Sequence, residues 1–130
     1  MAQPETSPCV FCDIAAGLAP ATVVRAWPDT LAILPRGGVT DGHVLVIPRT
    51  HIPDAGTDPA VAATTMAAAA ELAGELPAAN IITSKGTAAT QTVFHLHLHV
   101  VPRQPGDGLP LPWTPQQTTR TATAQNGAEE

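Results

Sequence analysis

The chain has 130 residues, a mass of 13.3 kDa, a formal net charge of −5 and a pI near 5.4, a size that suits one domain rather than two. Its six Lys and Arg form no cluster, which argues against nucleic acid as a partner, since sequence-independent binding needs a basic stripe, and against an anionic membrane surface. Aromatic residues are only 3% with no Tyr, so alanine and β-branched residues must build much of the core.

In chain order, residues 1–8 are polar and proline-containing and read as a flexible N-terminus, with neither the basic start nor the apolar stretch of a signal peptide. From Cys9 to Gly17 a short helix is expected, with Phe11, Ile14 and Ala15 near one face and Gly17 as a stop. Thr22–Trp27 is enriched in β-branched residues and reads as a strand, Pro28-Asp29 as a turn, and Thr30–Leu34 as the returning strand. After the breakers Gly37-Gly38 and Asp41-Gly42, His43–Ile47 is the near-continuous apolar run of a central strand. Asp58-Pro59 starts a helix, Asp as N-cap and Pro at the first helical position. The helix should run to Leu76, be ended by Pro77, and pack through Val61, Met66 and Leu72. Its alanine-rich body carries Glu71 and Glu75 and is too weakly apolar to span a bilayer. Asn80–Thr83 reads as a strand and Val93–Val101 as a longer one. Residues 114–130 lack periodicity and read as a disordered tail. The expectation is an α+β domain over residues 9–113, with one long and one short helix.

Two cysteines do not make a disulfide scaffold, so a reducing, cytoplasmic setting is expected. Cys9 and Cys12 are spaced to share a metal. They would otherwise be small buried hydrophobes, or a redox pair, for which no thioredoxin-like βαβ pattern is present. The distinctive chemistry lies in residues 93–103, where His95, His97 and His99 alternate with Leu96, Leu98 and Val100. In a strand the three imidazoles would share one face at a spacing of roughly 6–7 Å. They would then be an exposed polar face, a three-histidine zinc site, or a nucleophile flanked by phosphate and metal partners. Neutral imidazole is a competent nucleophile near pH 7.

His95-Leu96-His97-Leu98-His99-Val100-Val101 resembles the histidine-triad (HIT) superfamily motif, His-φ-His-φ-His-φ-φ with φ apolar. Cys9–Gly17, Asp41–Ile52, Gln91-Thr92-Val93 and Trp113 are also similar to the Hint-like bacterial branch. The resemblance implies a HIT-like fold with a five-stranded antiparallel sheet, usually a homodimer. It also implies hydrolysis or transfer at the α-phosphorus of a nucleotide conjugate such as a phosphoramidate or acyl nucleotide. His97 would be the nucleophile, His99 would contact the phosphate, and the carbonyl of His43 would hold His97 in its attacking tautomer. Gln91 and Thr92 would hydrogen-bond the phosphate or leaving group. Cys9, Cys12, His51 and His95 would hold a structural zinc ion, a donor set that suits tetrahedral zinc. Alternatives are a dinucleoside polyphosphate hydrolase and a non-catalytic nucleotide-binding or interaction module with structural zinc. Three departures surround the pocket. Pro35, followed by Arg36, stands where an acidic residue binds ribose in the family. Ser84 replaces an Asn, and Thr90 replaces a Gly whose positive φ a β-branched residue resists. The loop at Thr90 is therefore expected to take another shape.

Overall fold

The computed structural model describes residues 9–114, so the expectations for residues 1–8 and for the tail beyond 114 lie outside the described residues. The elements in order are helix α1 (Val10–Ala15), strands β1 (Val23–Ala26), β2 (Thr30–Ile33) and β3 (Val44–Pro48), helix α2 (Pro59–Ala73), and strands β4 (Ala79–Ile82) and β5 (Leu98–Pro102). A one-turn 3-10 helix covers Thr87–Ala89. The strands form one sheet in the order β1-β2-β3-β5-β4, every pair antiparallel. This is the five-stranded α+β architecture expected of the resemblance.

Strands β2 and β3 are buried along their whole length, because both faces of the sheet are covered. On one face Ala32, Val44, Val46, Leu98 and Val100 pack with Ala68, Ala69 and Leu72 of α2. On the other face Leu31, Ile33, Leu45 and Ile47 pack with Phe11 of α1. Small alanines let α2 approach closely, and Ala32 and Ala69 are fully buried. Asp58 caps α2 as expected, its carboxylate accepting from the amides of Ala60 and Val61 at 3.1 and 3.3 Å.

Three local expectations are corrected. Helix α2 ends at Ala73, with Gly74 as its cap, rather than at Leu76. The chain tightens into turns in which Glu75 and Leu76 donate to Leu72 and Ala73, a common way to close a last turn. The buried stripe runs through Thr65, Ala68, Ala69 and Leu72, while Met66 is 43% exposed. Thr65 can be buried because its hydroxyl donates to the carbonyl of Val61 at 2.8 Å. The strand expected over Val93–Val101 forms only from Leu98. Val46 pairs with Leu98, so Pro48 would face Leu96, and a proline has no N–H to extend that ladder. Residues 93–97 therefore form a strap held by individual contacts.

Candidate active site and metal centre

The strap is tied down at each end. The Leu96 amide donates to the carbonyl of Ile52 at 2.7 Å, and the Thr83 hydroxyl donates to the carbonyl of His97 at 2.8 Å. The side-chain amide of Gln91, only 4% exposed, donates to the carbonyls of Pro53 and Val93 and accepts from the amide of Gly86. Both of its N–H groups are thus engaged with backbone, so Gln91 holds the loop together from inside rather than offering donors to a ligand. Thr92 is exposed beside it.

Thr90 takes φ 72° and ψ 18°, the left-handed conformation that its β-branched side chain resists. The loop keeps the shape that a glycine would allow, contrary to the expectation of a different one. The amides of Thr90 and Gln91 donate to Thr87 and Gly86, and the Gln91 side chain pulls on Gly86 from below. These bonds over-determine the turn.

The resemblance implied that Cys9, Cys12, His51 and His95 act together, and the fold brings them within one coordination sphere. One donor atom from each lies within 4.8 Å of all the others. Cys9 Sγ is 3.6 and 3.4 Å from Nδ1 of His51 and His95, and Cys12 Sγ is 3.3 and 3.5 Å from the same atoms. The two Nδ1 atoms are 3.1 Å apart. With metal–sulfur near 2.3 Å and metal–nitrogen near 2.0–2.1 Å, a tetrahedron has sulfur–nitrogen edges of about 3.5 Å. Distances and donor types therefore fit a structural zinc site. His95 is fully buried, and its Nε2 lies 2.8 Å from the carbonyl of Pro48. That partner keeps the proton on Nε2 and leaves Nδ1 as the ligand lone pair. Burial, then the neighbouring Cys9, pushes the Cys12 thiol up to about 11; a bound cation reverses that preference because the thiolate is the ligand.

His95 also reaches His97, the nucleophile expected from the resemblance. His97 Nδ1 lies 2.8 Å from the carbonyl of His95; the carbonyl of His43, expected in this role, is replaced by the one two residues away in the strap. A carbonyl only accepts, so Nδ1 carries the proton and Nε2 carries the lone pair. Phe11, between the two cysteines, sets its ring edge-on to both His95 and His97, with centroids 5.8 and 5.1 Å away. His43 enters the site through its side chain instead. It is 6% exposed, and its Nε2 is 3.0 Å from Nδ1 of His99. The His97 and His99 rings lie side by side, centroids 5.2 Å apart. The contributions of Phe11 and Thr83 are not legible in the sequence, where one reads as core and the other as the end of a strand.

Of the remaining departures, Pro35 and Ser84 are half-buried. Arg36 and Lys85 are exposed, and the Lys85 stem crosses Gly56, where its Cε would lie 3.4 Å from a Cβ.

A profile of the HIT domain matches residues 16–106. An uncharacterized HIT-like protein of Mycobacterium tuberculosis is 43% identical over 109 residues, covering 78% of this chain and 76% of its own. The adenylylsulfatase HINT3 of Arabidopsis thaliana is 32% identical over 108 residues, covering 78% of this chain and 55% of the plant protein. A Zn-bound histidine triad family protein from Mycobacterium smegmatis superposes with a TM-score of 0.73 at 44% identity, covering 78% and 79% of the two chains. Its fold, its intact triad and these matches together place the chain in the histidine-triad (HIT) family.

Proposed function

We propose that the protein is a nucleotide hydrolase or transferase acting at the α-phosphorus of nucleoside monophosphate conjugates, phosphoramidates and acyl nucleotides among them. The observation that carries this reading is the hydrogen bond from His97 Nδ1 to the His95 carbonyl. It leaves Nε2 of His97 as a fixed lone pair beside a second imidazole. In the first step that lone pair forms a bond to phosphorus, the bond to the leaving group breaks, and the leaving group departs with its electron pair. Water then attacks the nucleotidyl-histidine, releasing the nucleoside monophosphate and restoring His97. One difficult displacement becomes two easier ones. His99 and Thr92 are the phosphate contacts in this scheme, and His43 supports His99. Cys9, Cys12, His51 and His95 hold zinc away from the reacting atoms, where it stabilises the strap. A plant relative named for cleaving an adenylyl conjugate agrees with this chemistry.

The protein is also proposed to act as a homodimer. Strand β4 is an outer strand of the sheet, and Ile82 on it and Met66 on α2 are 39% and 43% exposed.

Incubation with adenosine and guanosine phosphoramidates, acyl nucleotides and dinucleoside polyphosphates tests the activity. Turnover of the monophosphate conjugates and an acid-labile nucleotidyl adduct are expected. His97→Ala should lose both, with zinc content and melting temperature kept. Absence of turnover and adduct across the panel sinks the proposal, and turnover of polyphosphates alone moves the substrate class.

A further inference from the structure

His99 is joined to the protein through His43, and His43 is joined to one main-chain amide. His99 Nδ1 lies 3.0 Å from Nε2 of His43, and His43 Nδ1 lies 3.1 Å from the nitrogen of Val39. A main-chain N–H donates and cannot accept. Nδ1 of His43 is therefore the unprotonated nitrogen and its proton sits on Nε2. That proton points at Nδ1 of His99, which must accept it, and His99 is left with its own proton on Nε2. We propose that the Val39 amide is a positioning group that orders the protons along His43 and His99, so that His99 presents an Nε2–H donor to a phosphoryl oxygen.

Several features of the 35–43 loop serve this arrangement. Val39 is 55% exposed, so position 39 gives the core little, and its N–H is what the site uses. A Cβ on Gly38 would lie 3.3 Å from Cγ of Pro35 and 3.5 Å from Nδ1 of His43, so a larger residue there would crowd the contact. Gly37 and Gly42 take left-handed φ of 62° and 85°, which turns the chain back over the ring. His43 is nearly inaccessible to water, so solvent is a poor substitute for the missing donor. Burial lowers the pKa of His43 and takes that of His99 down to about 4, which leaves both rings neutral near pH 7, where tautomer decides what each nitrogen can do. Among the described residues neither His97 Nε2 nor His99 Nε2 has a hydrogen-bond partner. One backbone carbonyl and one backbone amide thus place a lone pair on one ring and a proton on its neighbour, the pair needed to attack phosphorus and hold its oxygen.

The role assigned to this order rests on the proposed attack of His97 on phosphorus, and the experiment separates the two. Long-range proton–nitrogen correlation spectra of the nitrogen-15-labelled chain near neutral pH report each tautomer directly. His43 and His99 are expected to be protonated at Nε2 and His97 at Nδ1. An ester linkage at residue 39 (the hydroxy acid analogue of valine) deletes the amide proton without adding an atom beside His43. His43 should then become a mixture of tautomers. The kcat for a phosphoramidate should fall about 10–100-fold with KM within about twofold, and zinc content and melting temperature should be kept. Val39→Ala keeps the amide and should keep the wild-type tautomers. A wild-type His43 protonated at Nδ1 overturns the proposal, as does a folded variant lacking the amide proton with unchanged tautomers and kcat. Wild-type protein that shows the expected order but turns nothing over supports the proton placement and removes the hydrolase reading.

Discussion

Thr90 is the only non-glycine residue among those described with a positive φ, and the turn that it closes presents Gln91 to three backbone partners. A left-handed β-branched residue costs about 1–2 kcal/mol. Part of that is recovered by glycine, whose looser unfolded chain offsets the remainder. Thr90→Gly should therefore raise the unfolding free energy by about 1 kcal/mol in urea titration; an equal or lower value would mean that the turn carries no strain. His99 carries a second residue-scale expectation. Burial, and then the charges of His97 and His43, take its pKa down to about 4, against about 6.5 in an unfolded chain. Between those values the unfolded state takes up a proton that the folded state refuses, so stability is full above about 6.5 and falls as the pH drops towards 4. In protein stripped of metal with a chelator, so that zinc release does not mask the effect, the urea midpoint should decline across that window. His99→Asn should flatten the decline, and an undiminished slope would place its origin elsewhere.

At the scale of elements, the motif-bearing segment is the one that departs from regular structure. Strand β5 starts at Leu98, so His95 and His97 stand on a strap fixed by separate contacts rather than by a ladder. The metal-ligand set is one of them, and it joins α1 through Cys9 and Cys12 to the turn after β3 through His51 and to the strap through His95. Cys12→Ser should lose the zinc and lower the melting temperature by at least about 10 °C, since several kcal/mol shifts a domain of this size by a few degrees each. A chelator should reproduce the loss in wild-type protein and leave the variant unchanged; a chelated wild-type protein that melts normally would remove the metal from the stability of the fold. The hairpin, the central strand and the start of α2 were legible because apolar runs, Pro-Asp and Asp-Pro are local signals. The buried stripe of α2 was not, because alanine occupies several sides of that helix and Met66 looked like its anchor.

Across the whole molecule, α2 covers one face of the sheet while α1 and the histidines occupy the other. No helix among the described residues is long and apolar enough to cross a membrane. The outer strand β4, paired with the histidine-bearing β5, and the exposed Met66 of α2 offer the apolar surface for a second copy, and sedimentation should give twice the 13.3 kDa chain mass; a single-chain mass at micromolar concentration would rule out a stable dimer. The family could be read from motif residues and their spacing, which are properties of the chain, and the nucleophile candidate and the four metal ligands followed from that resemblance rather than from the residues alone. Which acceptor holds His97, what engages Gln91, and how His43 enters the site could not be read that way. Those depend on directional hydrogen bonds between segments up to 56 residues apart, and a bond of that kind exists only once register, loop path and burial have brought donor and acceptor into line.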